Sequence, residues 1–180
     1  MYKVERLHEK ERYYAFNSLQ NRFLLWHGSR LTNYVGILSE GLRIAPSDAP
    51  TSGYMFGKGI YFTDVASKAA GYCHASPENK EGILVLCEVA LGNMYQVFKA
   101  KGFKKPPKYY HSVHGVGRMQ SDPKKKLQCS DDVIACLGKI INNEELEKNS
   151  LESDLIYNEY VVYDNSQVCM KYLVKVSFEF

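Results

Sequence analysis

Three side chains far apart along the 180-residue chain have the types and neighbours that chemistry on a polar ligand requires: His27, Tyr61 and Glu159. His27 ends an apolar run at residues 22–27 (RFLLWH) and is followed at once by Gly28, Ser29 and Arg30. Gly28 has no side chain to block the approach of a ligand to its own N–H and C=O. A structural histidine beside Trp26 is the alternative reading of the same residues. Tyr61 and Tyr72 are 11 residues apart, on a predicted strand and the helix after it, so their rings can converge as two walls of a flat slot. With 14 tyrosines in the chain, coincidence is the competing account. Glu159 lies in a branched and aromatic stretch, where strand alternation puts it on one face with Tyr157, Val161 and Tyr163. An isolated carboxylate in such company either pairs with something or works.

The elements that must position these groups follow from periodicity and punctuation. Residues 22–27 read as a strand and residues 32–40 as a helix, with Thr32 as its cap and Gly41 as its stop. Pro46, Pro50, Gly53, Gly57 and Gly59 make residues 45–59 a loop able to form a pocket wall. Residues 60–63 read as a strand, and Asp64 as the cap of a helix over 65–74. Residues 82–91, 94–98, 155–164 and 168–180 are rich in branched and aromatic side chains and read as strands, whereas the acidic stretch 142–154 reads as an exposed loop or short helix. Few helices among many strands predict an α+β domain of packed, mainly antiparallel sheets. No GxGxxG follows a strand and no GxxxxGK[ST] occurs. In GYMFGKGIYF the glycines lead into a strand, which removes the phosphate site of a helix N-terminus.

Composition narrows the class. With 45% hydrophobic, 13% aromatic and 24% charged residues the chain is globular rather than disordered or fibrous, and its length suits one domain over 1–180. Its apolar stretches fall well short of the roughly 20 residues that cross a bilayer. Residues 1–30 alternate Lys3, Arg6, Lys10, Arg12 and Arg22 with acids and lack the apolar core of a secretory signal, so export is not expected. Five widely spaced cysteines fit neither a disulfide framework nor a zinc knuckle and point to a reducing, intracellular setting. His111 and His114 form an HxxH with no further ligand beside it; loop histidines and a shared metal are its two readings. Residues 99–126 carry eight lysines and Arg118 against Asp122, +8 in a chain whose total is +3, so the remainder is −5. This basic region reads as a solvated loop or as a landing surface for an anionic polymer or acidic protein tail.

Five blocks, LLWHGSR (24–30), GLRIAP (41–46), GYMFGKGIYF (53–62), EVALGNMY (88–95) and YNEYVVYD (157–164), resemble the catalytic domain of the poly(ADP-ribose) polymerases, most strongly the DNA-dependent nuclear branch. The resemblance covers nearly the whole chain, from about residue 24 to 180, with 1–23 as a lead-in. It implies an ADP-ribosyltransferase fold of the diphtheria-toxin type, two sheets around a cleft for NAD+ as ADP-ribose donor, and no metal. It makes His27, Tyr61 and Glu159 the catalytic triad. Gly28 would hold the nicotinamide carboxamide and Tyr61 and Tyr72 its ring. His27 would bond the adenosine ribose, with Ser29, Asn33, Arg43 and Lys68 lining the site and Tyr54 folding over the donor.

The activity so implied is transfer of ADP-ribose to protein side chains, the chain's own included, and to the growing poly(ADP-ribose) product, in the nucleus, without direct DNA binding or a membrane. Single transfer, NAD+ hydrolysis and a non-catalytic ADP-ribose-binding module are the alternatives; Glu159 favours polymer over the first two, and His27 with Glu159 argues against the last. Two departures matter. Ala69 stands where this branch usually has a serine that donates to the nicotinamide amide, which predicts weaker donor binding by about 1 kcal/mol. The residues before Leu24 are too few for the helical regulatory domain of the branch, so activity independent of broken DNA is expected.

Overall fold

The computed structural model describes residues 1–46, 48, 53–130 and 132–180. In chain order the elements are β1 (Tyr2–Lys3), α1 (Glu9–Tyr14), β2 (Arg22–Gly28), α2 (Tyr34–Glu40), β3 (Ile60–Phe62), α3 (Ala66–Ala70), β4 (Glu81–Ala90), β5 (Met94–Val97), β6 (Ser112–Gly115), β7 (Met119–Ser121), β8 (Lys126–Ser130), β9 (Val133–Cys136), β10 (Ile140–Asn142), α4 (Glu144–Lys148), β11 (Glu159–Val162) and β12 (Val168–Ser177). One sheet runs β1-β12-β4-β2-β9-β8, a second runs β3-β11-β6-β5, and β10 pairs with β7 in a ribbon. All pairs are antiparallel except β2 with β9 and β5 with β6. The expected α+β architecture of packed, mainly antiparallel sheets is what the chain adopts.

The main core lies between the two sheets. Leu25, Val85, Cys87 and Val89 of the larger sheet meet Ile60, Phe62, Tyr160 and Val162 of the smaller one, and burying each such side chain is worth roughly 1.5–3 kcal/mol. Strand alternation then decides where the site residues go. His27 follows Phe23 and Leu25 on the core face of β2 and emerges where that strand ends, its ring 5.7 Å from that of Phe62. On the smaller sheet Tyr160 and Val162 face this core, so Glu159 and Val161 face the other way, as does Tyr61, which pairs with Val161. A bridge between Trp26 and Thr63, with N–H···O bonds of 2.8 and 3.0 Å, ties the two sheets beside His27.

Several local expectations need correction. Thr32 is not a cap: residues Leu31–Asn33 form a 3-10 turn, α2 starts at Tyr34, and the Asn33 amide bonds Ser29 Oγ at 2.9 Å instead of the helix. Asp64 is not a cap either. Its buried carboxylate accepts from the Ser121 N–H at 3.0 Å and the Asn158 amide at 3.3 Å, because two buried donors left unpaired would cost more than an uncapped helix end. The helix expected over 65–74 is the short α3 followed by a 3-10 turn at Gly71–Cys73. The strands expected over 155–164 and 168–180 narrow to β11 and β12, and the acidic stretch contains α4. The basic region 99–126 is not one loop, since β6 and β7 run through it; its lysines sit in the flanking segments, while its middle supplies buried Ser112 and Val113 to the sheet. Pro50, part of the predicted loop, lies outside the described residues.

The HxxH pair separates. His111 Nδ1 accepts from the Asn93 N–H at 3.0 Å, whereas the His114 ring stacks on Tyr160 with centroids 4.6 Å apart. Among the described residues no group of three or more His, Cys, Asp or Glu side chains is arranged to hold a metal, and no helix is long and apolar enough to cross a membrane.

Candidate active site

A cleft of about 740 Å³ opens between the end of β2, α2, the loop at 53–55, β3 and α3. His27 and Gly28 reach it from β2, Ser29 and Asn33 from the turn that follows, and Arg43 from beyond α2. Tyr54 and Tyr61 line the wall made by the loop and β3, Lys68 and Tyr72 the wall made by α3 and the turn after it, and Glu159 enters from β11. All ten residues selected from the sequence border this one space.

His27 Nδ1 lies 2.9 Å from the Tyr61 carbonyl oxygen. A carbonyl only accepts, so Nδ1 carries the proton and Nε2 is left as an acceptor in the neutral ring. Burial lowers the imidazole pKa below its usual value, against a smaller opposing effect of the Tyr61 carbonyl, and so favours the neutral form. His27 therefore suits a ligand hydroxyl as donor.

The Tyr61 phenol is fully employed by its own loop. It accepts from the Phe56 N–H at 2.9 Å and donates to the Gly57 carbonyl at 2.7 Å, and its ring lies 6.1 Å from that of Tyr54 at 41°. Burial pushes the phenol pKa up, so it stays protonated. Tyr72 is half exposed, and burial followed by the Glu159 charge raises its phenol as well.

Gly28 is required by packing as well as by access. A Cβ there would sit 1.8 Å from the Ala69 carbonyl oxygen, which no side chain tolerates without moving α3 away from β2. Glu159, paired with Gly115 across β11 and β6, is held by Lys68, whose Nζ is 2.6 Å from Oε1. Both side chains are largely removed from solvent, at 15% and 14% exposure, where a charged pair is stronger than on the surface.

Sequence reasoning missed the support behind that pair. Asn158, 1% exposed, accepts from the Gly117 N–H at 2.9 Å and donates to Asp64 at 3.3 Å, tying the strand of Glu159 to the entry of α3, which carries Lys68. The only local signal was an amide next to the carboxylate in YNEY. Glu40, Met55 and Ala69 also line the cleft, and Glu40 forms an ion pair with Arg43.

Two packed sheets that place an imidazole, a phenol and a carboxylate on one cleft define a domain of the ADP-ribosyltransferase fold. The chain belongs to the family described as the poly(ADP-ribose) polymerase catalytic domain, whose model matches residues 1–178. It is 52% identical over 180 residues to poly [ADP-ribose] polymerase 1 of Danio rerio and 51% identical over 180 residues to that of Xenopus laevis, covering 100% of this chain in both cases. Poly [ADP-ribose] polymerase 2 of Arabidopsis thaliana is 45% identical over 184 residues, again covering 100% of this chain. The chain spans 17% of the length of the first two relatives and 28% of the third.

Proposed function

We propose that this chain is a single catalytic domain that transfers ADP-ribose from NAD+ to protein side chains, its own included, and then to the growing poly(ADP-ribose) chain in the nucleus. The observation that carries the reading is the convergence of His27, Tyr61 and Glu159 on one cleft beside Gly28 and Tyr72.

Breaking the bond between nicotinamide and ribose develops positive charge on the anomeric carbon and ring oxygen, as in glycoside hydrolysis. Nicotinamide leaves with the bonding electron pair and becomes neutral. The domain has to hold the donor in place and set negative charge beside the developing cation. Gly28 N–H and C=O hold the carboxamide, Tyr61 and Tyr72 flank the ring, and Tyr54 covers it. His27 Nε2 accepts from the adenosine ribose, with Ser29, Asn33 and Arg43 along the rest of the donor. Glu159, anchored by Lys68, accepts from the nicotinamide ribose hydroxyl. The same carboxylate takes the proton of the acceptor hydroxyl as its oxygen bonds to the anomeric carbon.

Radiolabelled NAD+ separates the outcomes. The unaltered chain is expected to give a ladder of modified protein and to release nicotinamide, and Glu159→Gln to lose the ladder with release reduced roughly 100- to 1,000-fold. Near-normal polymer from Glu159→Gln, or one sharp shift from the unaltered chain, would overturn the reading.

A further inference from the structure

Residues 89–121 contain six cationic side chains and no Asp or Glu. Five of the six, Lys99, Lys101, Lys104, Lys105 and Lys108, lie between β5 and β6, all exposed. The lysines that pair with carboxylates in this fold, such as Lys3, Lys68, Lys148, Lys171 and Lys175, all lie elsewhere. None of the five makes an ion pair with a carboxylate among the described residues. Unpaired cations at this density repel one another, a cost that an anionic partner removes.

The loop is also aromatic. Tyr95 packs edge-on against Phe103 and Tyr110, with centroids 5.8 and 5.1 Å apart. Lys101 Nζ stands 5.6 Å from the Phe103 ring centre and Lys108 Nζ 4.8 Å from that of Tyr109. Tyr109 remains 77% exposed, an open face on which a flat base can stack.

Its position links it to the cleft. The Lys101 N–H donates to the Met55 carbonyl at 3.1 Å and the Phe103 N–H to the Phe56 carbonyl at 3.0 Å. The contact is close enough that a Cβ on Gly57, at φ +85°, would stand 2.0 Å from the Phe103 oxygen. Met55 lines the cleft, and Phe56 and Gly57 are the residues that the Tyr61 phenol grips. The strand that leaves the loop, β6, pairs with β11 at Glu159. The loop thus flanks the smaller sheet, which carries both Tyr61 and Glu159.

We propose that this lysine and tyrosine loop is a track that holds the growing poly(ADP-ribose) chain next to the cleft, an inference that rests on the polymer-forming reading above. Each unit of that polymer carries two phosphates and one adenine, matching the cations and the exposed ring. Nucleic acid and acidic protein present similar charge, but only the polymer is produced at this rim. Retention there keeps the chain end near Glu159 and lengthens the product without touching the donor.

The test uses the full chain with Lys101→Glu, Lys104→Glu, Lys105→Glu and Lys108→Glu combined, all on exposed side chains, and Tyr109→Ala as a second variant. Nicotinamide release at saturating NAD+ is expected to stay within about 2-fold while product on gels becomes markedly shorter. Binding of purified poly(ADP-ribose), followed by fluorescence, is expected to weaken at least about 10-fold in the charge variant and about 5-fold or more in Tyr109→Ala. For the unaltered chain it should fall with salt at a log–log slope near −3, about −0.7 per phosphate engaged. Product of unchanged length, no binding of the polymer, or equal binding of single-stranded DNA or polyglutamate overturns the proposal. If the unaltered chain released no nicotinamide, the functional reading would fail, and the binding measurement alone would still decide the loop.

Discussion

Lys68 Nζ lies 2.6 Å from Glu159 Oε1 and donates to the carbonyls of Tyr157 and Asn158 at 3.3 and 3.5 Å. One ammonium therefore fixes both the carboxylate and the backbone that carries it. A carboxylate that must accept a ribose hydroxyl is useful only if its oxygens stay where that hydroxyl will be.

Replacing Lys68 by Met leaves that carboxylate in a partly dry site without its cation. The expected result is a fall in kcat of about 10- to 100-fold, equivalent to about 1.5–3 kcal/mol for a lost charge-assisted hydrogen bond, with a smaller change in the KM for NAD+. Steady-state nicotinamide release against donor concentration checks it, and an unchanged kcat would show that Lys68 does not hold Glu159 for the reaction.

Tyr61→Phe keeps the ring and removes the oxygen that the Phe56 N–H and Gly57 carbonyl use. Two backbone groups lose their partner, so the loop at 54–57 loosens at a cost of about 1–3 kcal/mol. The KM for NAD+ should rise while kcat falls less, and urea unfolding should report the lost stability. Wild-type behaviour on both counts would mean the ring alone matters.

Ala69→Ser places in the cleft wall the hydroxyl that the resemblance to the family leads us to expect at this position. One added neutral hydrogen bond is worth about 1 kcal/mol, or about 5-fold in affinity. Competitive inhibition by nicotinamide should strengthen by that factor. No gain would mean that the hydroxyl cannot reach the amide from the main chain of α3.

Acid stability should depend on His114. Burial lowers this imidazole from 6.5 to about 4. Between those values the unfolded chain takes up a proton that the folded chain refuses, so stability rises with pH there and falls on acidification, by up to about 3 kcal/mol. Asp64, whose carboxyl is raised by burial, works in the opposite sense, and His27 in the same sense as His114. Both are common to the unaltered chain and His114→Leu, so the difference between their urea midpoints at pH values from about 7 to about 4 isolates His114. Parallel curves would contradict the assignment.

The main strands were legible because their cause is local. Runs of branched and aromatic side chains mark β2, β4 and β12 within a few residues of their ends. The candidate site residues were legible for a different reason: the blocks that carry His27, Tyr61 and Glu159 resemble a known family, whereas composition and spacing alone left each of them a structural or coincidental reading as well. What stayed hidden was set by long-range partners. Asp64 reads as a cap from its neighbours, but its hydrogen-bond donors are 57 and 94 residues away. Gly28 reads as an opening for ligand, and only the approach of the Ala69 carbonyl shows that packing forbids a side chain there.

By itself the sequence marked six of the twelve strands among the described residues and the lysine-rich composition of 99–126, because each is a matter of side-chain chemistry and period along the chain, and its family resemblance supplied the residues expected to act on a dinucleotide. Only the tertiary structure decided that Lys68 meets Glu159, that Asn158 and Asp64 stand behind them, and that the lysine-rich loop bonds the backbone of Met55 and Phe56 beside the cleft. Those relations depend on how two sheets are registered in space, and a pairing between distant segments leaves no periodic trace in either one.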